Sequence, residues 1–480
     1  MLVGRRSAPY LGLLTASGIL LSVAAIGLTV LEEGTIRYQL GGWEAPLGIN
    51  LYADGLAVFM LLMTAIVGAA VSAYAVGYFT SRQDESGRVA GDSGDRSGSF
   101  WVLWMFLWAS LNGLFLSADA FNLYVTLEIM GLSAAGLVTL ERRQSALSSG
   151  MRYLFVTLLG SLAYLMGVAL LYGALGALDL ATLGELMYPG AATWSALALI
   201  TLGMALKTGL FPLHFWMPAA YSNAISPASA LLAGLVGKAS FYLLLRLWFD
   251  VFDGGLGPGP GQVLGLLGAA AIVWGAVMAV RQRRLKRLLA YSSVSQIGYL
   301  FVLFSLATTA SWGFDAWSGG VYHAFSHACA KAAMFMSAGA IVRSVGHDDL
   351  DRMQGVGQQM PLAVAGFALG GVTLMGLPPT GGFTAKWLLV SASLESGQWW
   401  IAVVLLAGGV LAALYVLRFL NPALIQVKVG PVARPATQNL EVTAFVLAFG
   451  SFFLALLSAP LLALLRIGTP FASVLLVGTP

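Results

Sequence analysis

Four lysines lie inside long apolar segments of this 480-residue chain: Lys207, Lys238, Lys331 and Lys386. A charged side chain near the centre of a bilayer costs about 2.5–3.5 kcal/mol on insertion scales, so such residues usually mark an ion or proton path. An ammonium group that is desolvated can lose its proton, whereas a guanidinium group stays charged. Because all four residues are lysines, we expect a proton path. Snorkelling to the interface is the alternative, chiefly for Lys386, which lies near the end of its segment.

One acid, Glu128, lies within the apolar sequence ADAFNLYVTLEIMGL. A carboxylate there needs a cationic partner to remain charged, and Lys207 falls in the same group of five helices. A static ion pair between two helices is one interpretation, although desolvation can exceed the Coulomb attraction in such a pair. We favour a pair whose balance shifts when a proton arrives.

His323, His327 and Lys331 are spaced by four residues, so they share one face of a helix. Two histidines at this spacing can bind a metal ion, but no third ligand is evident. They could also be buried histidines bonded to neighbouring carbonyl groups. We favour a polar stripe that conducts protons toward Lys331.

Three further polar residues lie near predicted helix ends. Asp54 and Asp119 are at helix starts, where a carboxylate caps the helix and interacts favourably with its dipole. His214 could line the path or cap the helix that follows Pro212. Capping is therefore the expected role of both aspartates, and the role of His214 stays open.

The composition excludes a soluble globular protein, because 58% of the residues are hydrophobic and 10% are charged, against about 25% charged in soluble domains. We predict an all-α polytopic membrane protein.

A single cysteine, Cys329, excludes an internal disulfide, a cysteine-ligated iron–sulfur cluster and a c-type haem attachment. We therefore expect no cofactor and no metal, and any redox chemistry would take place in a partner. The start MLVGRRSAPY lacks a cleavage site and predicts a retained first helix.

The apolar runs predict about thirteen membrane-spanning helices. They fall at 10–31, 51–79, 100–117, 119–140, 150–176, 192–211, 222–250, 261–281, 287–307, 319–344, 361–392, 399–421 and 440–466. We divide the chain into N-terminal helices with a polar loop (1–99), a first five-helix bundle (100–250), a second one (261–421) and a C-terminal helix (440–480). Five is an odd number, so the two bundles should be inverted relative to each other. The polar stretch 81–98 predicts a flexible loop.

The basic residues support this topology, because positive charges collect on the cytoplasmic side. With alternating loops, eighteen of the 25 Lys and Arg residues fall on one side, three fall on the other, and the four lysines remain within the membrane. The three are Arg37, Arg246 and Arg466. We therefore expect a cytoplasmic N-terminus and an exterior C-terminus in a bacterial or archaeal cell membrane.

Gly/Pro clusters interrupt the fourth helix of each five-helix bundle. The first interruption contains Gly209 and Pro212, and the second contains Pro378, Pro379 and Gly381. Paired breaks in inverted halves indicate the working site of a transporter. Backbone groups freed at a break must lie within protein or beside water.

The motifs around these residues resemble the antiporter-like subunits shared by respiratory complex I, Mrp-type cation/proton antiporters and membrane-bound hydrogenases. The segments are YQLGGWEAPLGINLYADGLAVFM, LSADAFNLYVTLEIMGLSA, ALKTGLFPLHFWMPAAYSNAISPASALLAGLVGKASFYLLLR, LKRLLAYSSVSQIGY, HAFSHACAKAAMFMSAGAIV and LMGLPPTGGFTAKW. GGWEAPLGI and FNLYVTLE are most similar to the D subunit of Mrp antiporters or its hydrogenase counterpart. HAFSHACAKAAMF also resembles the hydrogenase and complex I relatives.

The resemblance implies two inverted five-helix bundles with broken fourth helices. It makes Glu128 the ion-pairing glutamate, Lys207 and Lys386 the broken-helix lysines, and Lys238 the connecting lysine. His323, His327 and Lys331 match the family's central polar axis. Family members typically carry fourteen helices, so we expect one fewer here, without the long lateral helix of the largest members.

The leading hypothesis is a proton-translocating subunit of a multisubunit Mrp-type monovalent cation (Na⁺)/H⁺ antiporter. The expected partners are other membrane subunits of an Mrp-like, hydrogenase-like or complex I-like assembly, with protons, Na⁺ or K⁺ as the ions, the lipid bilayer, and no nucleic acid. One alternative is the pump module of a redox complex such as an NADH:quinone oxidoreductase-like translocase. Whether the chain is part of an enzyme therefore stays open. The other is a membrane scaffold that does not transport.

Overall fold

The computed structural model describes residues 7–43, 48–80, 93–252, 259–308, 310–427 and 438–472, which are predominantly helical. Its helices are α1 (Ala8–Glu33), α2 (Gly55–Thr80), α3 (Ser93–Leu116), α4 (Ala120–Thr139), α5 (Gln144–Leu175), α6 (Leu180–Leu186), α7 (Ala191–Thr208), α8 (Met217–Asn223), α9 (Ser226–Val251), α10 (Gly259–Val280), α11 (Leu285–Leu306), α12 (Gly313–Val345), α13 (Val356–Gln359), α14 (Pro361–Met375), α15 (Gly381–Glu395), α16 (Trp399–Leu424) and α17 (Gln438–Leu465). Strands β1 (Ile36–Gln39) and β2 (Asn50–Ala53) pair antiparallel, with Ile36 opposite Ala53.

Twelve helices of the described ranges are long and apolar enough to cross a membrane. The remaining predicted span, 361–392, consists of α14 and α15, which have 15 residues each and flank the break. The prediction of an all-α polytopic membrane protein is therefore confirmed, and it is a multi-pass one. The inversion of the two five-helix bundles stays a prediction.

Two local predictions differ from the structure. Helix α3 begins at Ser93, so residues 93–98 are helical rather than part of a loop; residues 81–92 of that predicted loop lie outside the described part of the chain, as do Arg5 and Arg6. The β1–β2 hairpin was not predicted, because its strands have only four residues each. Such short strands leave little periodicity to detect.

The most buried helices lie at the centre of the protein. Helix α9 is buried along its whole spanning window, and α11 and α12 are nearly so, whereas most of α1 is exposed. Because Lys238 lies on α9 and Lys331 on α12, these lysines are surrounded by protein.

Glycines bring α5 and α7 into close contact. A Cβ atom on Gly203 would lie 2.4 Å from the carbonyl oxygen of Gly160, and one on Gly160 would lie 2.8 Å from the carbonyl oxygen of Gly203. Small residues allow helix backbones to approach in this way inside membranes. This contact determines which residues of α5 lie opposite Lys207, near the end of α7.

Candidate functional site

Lys207 lies at the C-terminal end of α7, two residues before the break. Its side chain is buried, and its ammonium group donates to Ser161 Oγ at 2.5 Å and to the Thr157 carbonyl oxygen at 3.4 Å. Both acceptors belong to α5. The ammonium group is therefore held by neutral oxygen atoms in this conformation.

Glu128 lies on α4, one helical turn from the point where Lys207 approaches that helix. The Lys207 Nζ atom is 3.9 Å from the position that a Cβ atom on Gly131 would occupy. Glu128 Oε1 is buried and has no hydrogen-bond partner among the described residues. The two predicted partners are thus neighbours, and the lysine is bonded to α5 instead.

The two helix breaks have the same backbone geometry. Helix α7 ends at Gly209 (φ 78°, ψ 39°), and α14 ends at Gly376 (φ 79°, ψ 44°). A residue in this left-handed region is most often glycine, because it has no Cβ atom to clash. The amide of Leu210 donates to Ala205, and the amide of Leu377 donates to Val372. The backbone amides after each break therefore satisfy some of the carbonyl groups at the end of the preceding helix.

The carbonyl groups left at the two breaks are satisfied differently. At the first, Trp216 Nε1 donates to the Leu206 carbonyl oxygen at 3.0 Å. At the second, Lys386 donates to the carbonyl oxygens of Leu374 at 2.6 Å and Met375 at 3.3 Å. The second arrangement places a cation at the C-terminal end of α14, where the helix dipole favours positive charge.

The proline and glycine residues of the breaks lie in the connections between helices or directly beside them. Pro212 follows Gly209 before α8 begins, Pro378 and Pro379 lie between α14 and α15, and Gly381 is the first residue of α15. Thr380 caps α15 by accepting the amide of Phe383.

Lys386 is buried rather than directed toward the interface. Its ammonium group lies 4.2 Å from the centre of the Tyr299 ring on α11, in a cation–π contact. The residue also lines a cavity of about 380 Å³ between α15 and α16. Leu377 and Trp387 border this cavity and are exposed, so it opens on the outer surface of the helix bundle.

Lys238 and Lys331 occupy the centre of the protein. Helix α9 contains a π-helical turn at Leu232–Val236, and Lys238 donates to the carbonyl oxygen of Ala233 within that turn. Lys331 donates to the Leu289 carbonyl oxygen at 2.9 Å and to Ser292 Oγ, both on α11. Both ammonium groups are held by neutral oxygens.

His323 and His327 stack with their ring centres 5.7 Å apart and their planes 9° from parallel. His323 Nε2 lies 3.2 Å from the Gln296 carbonyl oxygen, whereas neither ring nitrogen of His327 has a partner among the described residues. Among the described residues, no third His, Cys, Asp or Glu lies close enough to form a metal-binding group with them. The two rings and the Gln296 carbonyl oxygen form a continuous series of buried polar groups.

Gln296 connects this histidine pair to Lys386, and the sequence prediction missed it. Its side-chain amide donates to the Leu374 carbonyl oxygen at 3.4 Å, the acceptor that Lys386 also uses, and to the Tyr415 hydroxyl group at 3.2 Å. A lone amide in the apolar segment 287–307 was the available signal. Polar side chains inside membrane helices are usually functional or paired.

Three basic residues that the count of loop charges assigned to one side of the membrane or the other are buried near helix ends. They are Arg246, Lys286 and Arg343. Burial among the described residues is therefore not restricted to the four lysines, because neighbouring connections can cover a helix end. Arg246 forms ion pairs with Asp54, at 2.7 Å through its Nη1 atom, and with Asp250 at 3.2 Å.

The capping predictions hold for both aspartates. Asp119 accepts the amide of Asn122 at 2.7 Å, and Asp54 accepts the amide of Ala57 at 2.9 Å in addition to its ion pair. The ring of His214 packs against that of Phe211, with the centres 5.6 Å apart, and its Nδ1 atom has no partner among the described residues.

Comparison with known proteins confirms the resemblance. The chain belongs to the family described as NADH:quinone oxidoreductase/Mrp antiporter, TM, which matches residues 117–412. It is 35% identical to the N subunit of the NADH-quinone oxidoreductase of Desulforudis audaxviator, over 86% of this chain and 81% of that protein. It is 31% identical to the D subunit of the Na(+)/H(+) antiporter of Alkalihalophilus pseudofirmus, over 82% and 77% of the two chains.

Solved structures show the same fold. A chain in the Mrp complex from Dietzia sp. DQ12-45-1b matches with a TM-score of 0.86 at 24% identity, over 98% of this chain and 95% of that one. A chain in the membrane-bound sulfane sulfur reductase, an archaeal respiratory membrane complex, matches with a TM-score of 0.82 at 27% identity, over 97% and 92%.

Proposed function

We propose that this chain is a proton-translocating membrane subunit of a multisubunit complex, and that the complex is a monovalent cation (Na⁺)/H⁺ antiporter of Mrp type. The observation that carries the proposal is the series of buried polar groups from Glu128 and Lys207, through Lys238, to Lys331 and Lys386. Relatives named as the D subunits of cation/proton antiporters support the Mrp assignment.

The first step would occur at Glu128 and Lys207. In the conformation described, Lys207 is bonded to Ser161 and Thr157, while one oxygen of Glu128 has no partner. Rotation of the lysine side chain toward α4 would form the ion pair, and rotation back would break it. A proton gained or lost by either group changes the energy of that pair, so the two positions act as a switch.

The later steps would carry the proton along the central helices. Lys238 would receive it and pass it to the axis of His327, His323 and Lys331, and Lys386 would release it. Gln296 extends this axis to Lys386, because both groups bond to the Leu374 carbonyl oxygen. Water molecules near the unpartnered nitrogens of His327 would complete the transfers.

Both ends of the series support a position among other subunits. Glu128 is half-buried on α4 beside the exposed side chains of Ile129 and Leu132. The cavity at Lys386 opens on the surface of α15 and α16. Ionisable groups near a lipid-facing surface are costly unless another protein covers them. Other membrane subunits of the complex would provide that cover.

The proposed arrangement has two inverted five-helix bundles, at 100–250 and 261–421, flanked by 1–99 and 440–480. The basic loops support a cytoplasmic N-terminus and an exterior C-terminus. A reporter that is active on only one side of the membrane, fused to each terminus in turn, tests this orientation. Activity of both fusions on the same side would contradict it.

Flux measurements on the purified complex in liposomes test the mechanism. Lys207→Ala and Glu128→Ala should each abolish proton flux while the complex keeps its subunits. Lys207→Arg is the sharper variant, since it keeps the positive charge but cannot release a proton. Proton flux near the original level in any of the three would exclude the switch.

A second candidate is the proton-pumping module of a redox complex, favoured by the 35% identity to the N subunit of an NADH-quinone oxidoreductase. The two functions differ in their driving force. An antiporter acidifies or alkalinises vesicles in response to a Na⁺ or K⁺ gradient alone, whereas a redox module needs an electron donor. Mass spectrometry of the co-purified subunits distinguishes them independently, and no charge movement under either condition would indicate a scaffold.

A further inference from the structure

Five hydroxyl side chains form a continuous line along α5. They are Ser145, Ser149, Tyr153, Thr157 and Ser161, each four residues from the next. This spacing places each hydroxyl side chain beside the next one, about one turn further along the helix. Ser145 is exposed, and the other four are buried. We call this set the hydroxyl stripe.

The inner end of the hydroxyl stripe is in contact with Lys207. The ammonium group donates to Ser161 Oγ and to the Thr157 carbonyl oxygen, so its two acceptors are both stripe residues. From Ser145 to Ser161 the helix rises about 24 Å. The stripe therefore runs from the protein surface to the level of the first helix break.

The outer end of the hydroxyl stripe opens into a polar cavity of about 360 Å³. Ser145, Ser222, Asn223, Glu141 and Lys286 are among its lining residues. The cavity lies where the α4–α5 and α10–α11 connections meet. These connections carry many of the basic residues that predict the cytoplasmic side.

Asn223 is the contact between cavity and stripe. Its side-chain amide donates to Ser149 Oγ at 2.9 Å, and it is 3.5 Å from the Ser145 carbonyl oxygen. It lies at the C-terminal end of α8, the short helix that follows the first break. In this position the amide covers the first buried hydroxyl of the stripe.

Tyr153 occupies the middle of the stripe. Its side chain is 1% exposed, and its ring packs against that of Trp216 with the centres 5.0 Å apart. Its hydroxyl group donates no hydrogen bond to a protein atom of the described ranges. A hydroxyl group without a protein partner is able to bond to water.

We propose that the hydroxyl stripe is the route by which protons pass between the polar cavity and Lys207, and that Asn223 closes its outer end. The inference rests on the proposed function, in which Lys207 exchanges a proton. It adds a route across the membrane to the lateral series of lysines. Hydroxyl groups suit this role because each can donate and accept a hydrogen bond.

Accessibility of the stripe to water tests the proposal without any transport measurement. In a Cys329→Ala background, Ser149→Cys should react with a membrane-impermeant charged maleimide added to the cavity side of oriented vesicles holding the full complex. Ser148→Cys is the matched control, because Ser148 is the adjacent residue but is exposed and lies outside the stripe. We expect Ser149→Cys to react at least about tenfold faster from the cavity side than from the opposite side.

Adding Asn223→Ala to the Ser149→Cys protein should increase the labelling rate further, since the covering amide is lost. Equal, slow labelling of Ser149→Cys from both sides, unchanged by Asn223→Ala, would overturn the proposal. Because labelling needs no flux, this result can be separated from failure of the proposed function.

A flux measurement keeps the proposal testable if the cysteine variants assemble poorly. Tyr153→Phe removes only the hydroxyl oxygen and should lower proton flux by about tenfold. Tyr172→Phe, an exposed tyrosine on the same helix, should leave flux unchanged. If the unaltered complex transports protons and Tyr153→Phe transports them equally fast, the stripe is excluded as the route.

Discussion

The close contact of α5 with α7 makes a single methyl group a test of how Lys207 is positioned. In Gly160→Ala, the new Cβ atom would lie 2.7 Å from Lys207 Cγ and 2.8 Å from the carbonyl oxygen of Gly203. Carbon contacts are optimal at about 3.5–4.0 Å, so α7 or the lysine side chain must move by about 1 Å. The 2.5 Å bond from Lys207 to Ser161 would not survive that movement.

The expected cost to stability is about 1–3 kcal/mol, the usual range for an added group in a well-packed interior. This cost is partly offset, because replacing glycine by alanine within a helix favours the helix by about 1 kcal/mol. Proton flux should fall more steeply, by about 100-fold, since a displacement of 1 Å at a reacting group can have that effect.

Gly173→Ala provides the matched control. Gly173 lies on the same helix, and a Cβ atom there would meet nothing within 4 Å. It gains the same helix propensity without the contact, so the difference between the two variants isolates the contact with Lys207. Flux in liposomes and thermal unfolding of the purified complex give the two readouts. If Gly160→Ala transported protons as well as Gly173→Ala, the position of Lys207 would not depend on this contact.

Three further changes test other contacts. Gln296→Leu removes the amide that bonds to the Leu374 carbonyl oxygen, and we expect flux to fall about tenfold with the complex intact; an unchanged flux would remove Gln296 from the path. Arg246→Met leaves Asp54 buried without its cation and should destabilise the protein by about 3–5 kcal/mol in thermal unfolding. Adding Asp54→Asn should restore stability. If it does not, the packing of Arg246 matters more than its charge. Lys386→Met should stop flux while the protein keeps its thermal stability, and continued flux would place the release site elsewhere.

The sequence predicted the helices and the unusual residues well. Apolar runs mark membrane helices because the bilayer excludes unpaired backbone and charge, so a lysine such as Lys238 is recognisable by itself. The breaks were visible in the same way, since Gly209 and Pro212 do not fit within a continuous helix. The family motifs pointed to the class of protein that the comparisons support.

Partners of these residues were much less visible. Ser161, which holds Lys207, and Gln296, which lies beside Lys386, are on other helices far along the chain. Lipid and protein interior are both apolar, so a membrane helix carries little pattern to show which face packs inward. Arg246 was counted with the loop charges because charge alone cannot show that Asp54 lies opposite it.

The sequence by itself therefore determined the membrane class and the identity of the buried lysines, because both depend on the cost of placing a residue type in hydrocarbon, and its motifs indicated the family. Only the tertiary structure decided that Lys207 is bonded to α5 rather than to Glu128, and that a stripe of hydroxyl groups leads from it to a surface cavity. Those facts depend on how closely α5 and α7 approach. That distance is set by two glycines, Gly160 and Gly203, acting together across the helix interface.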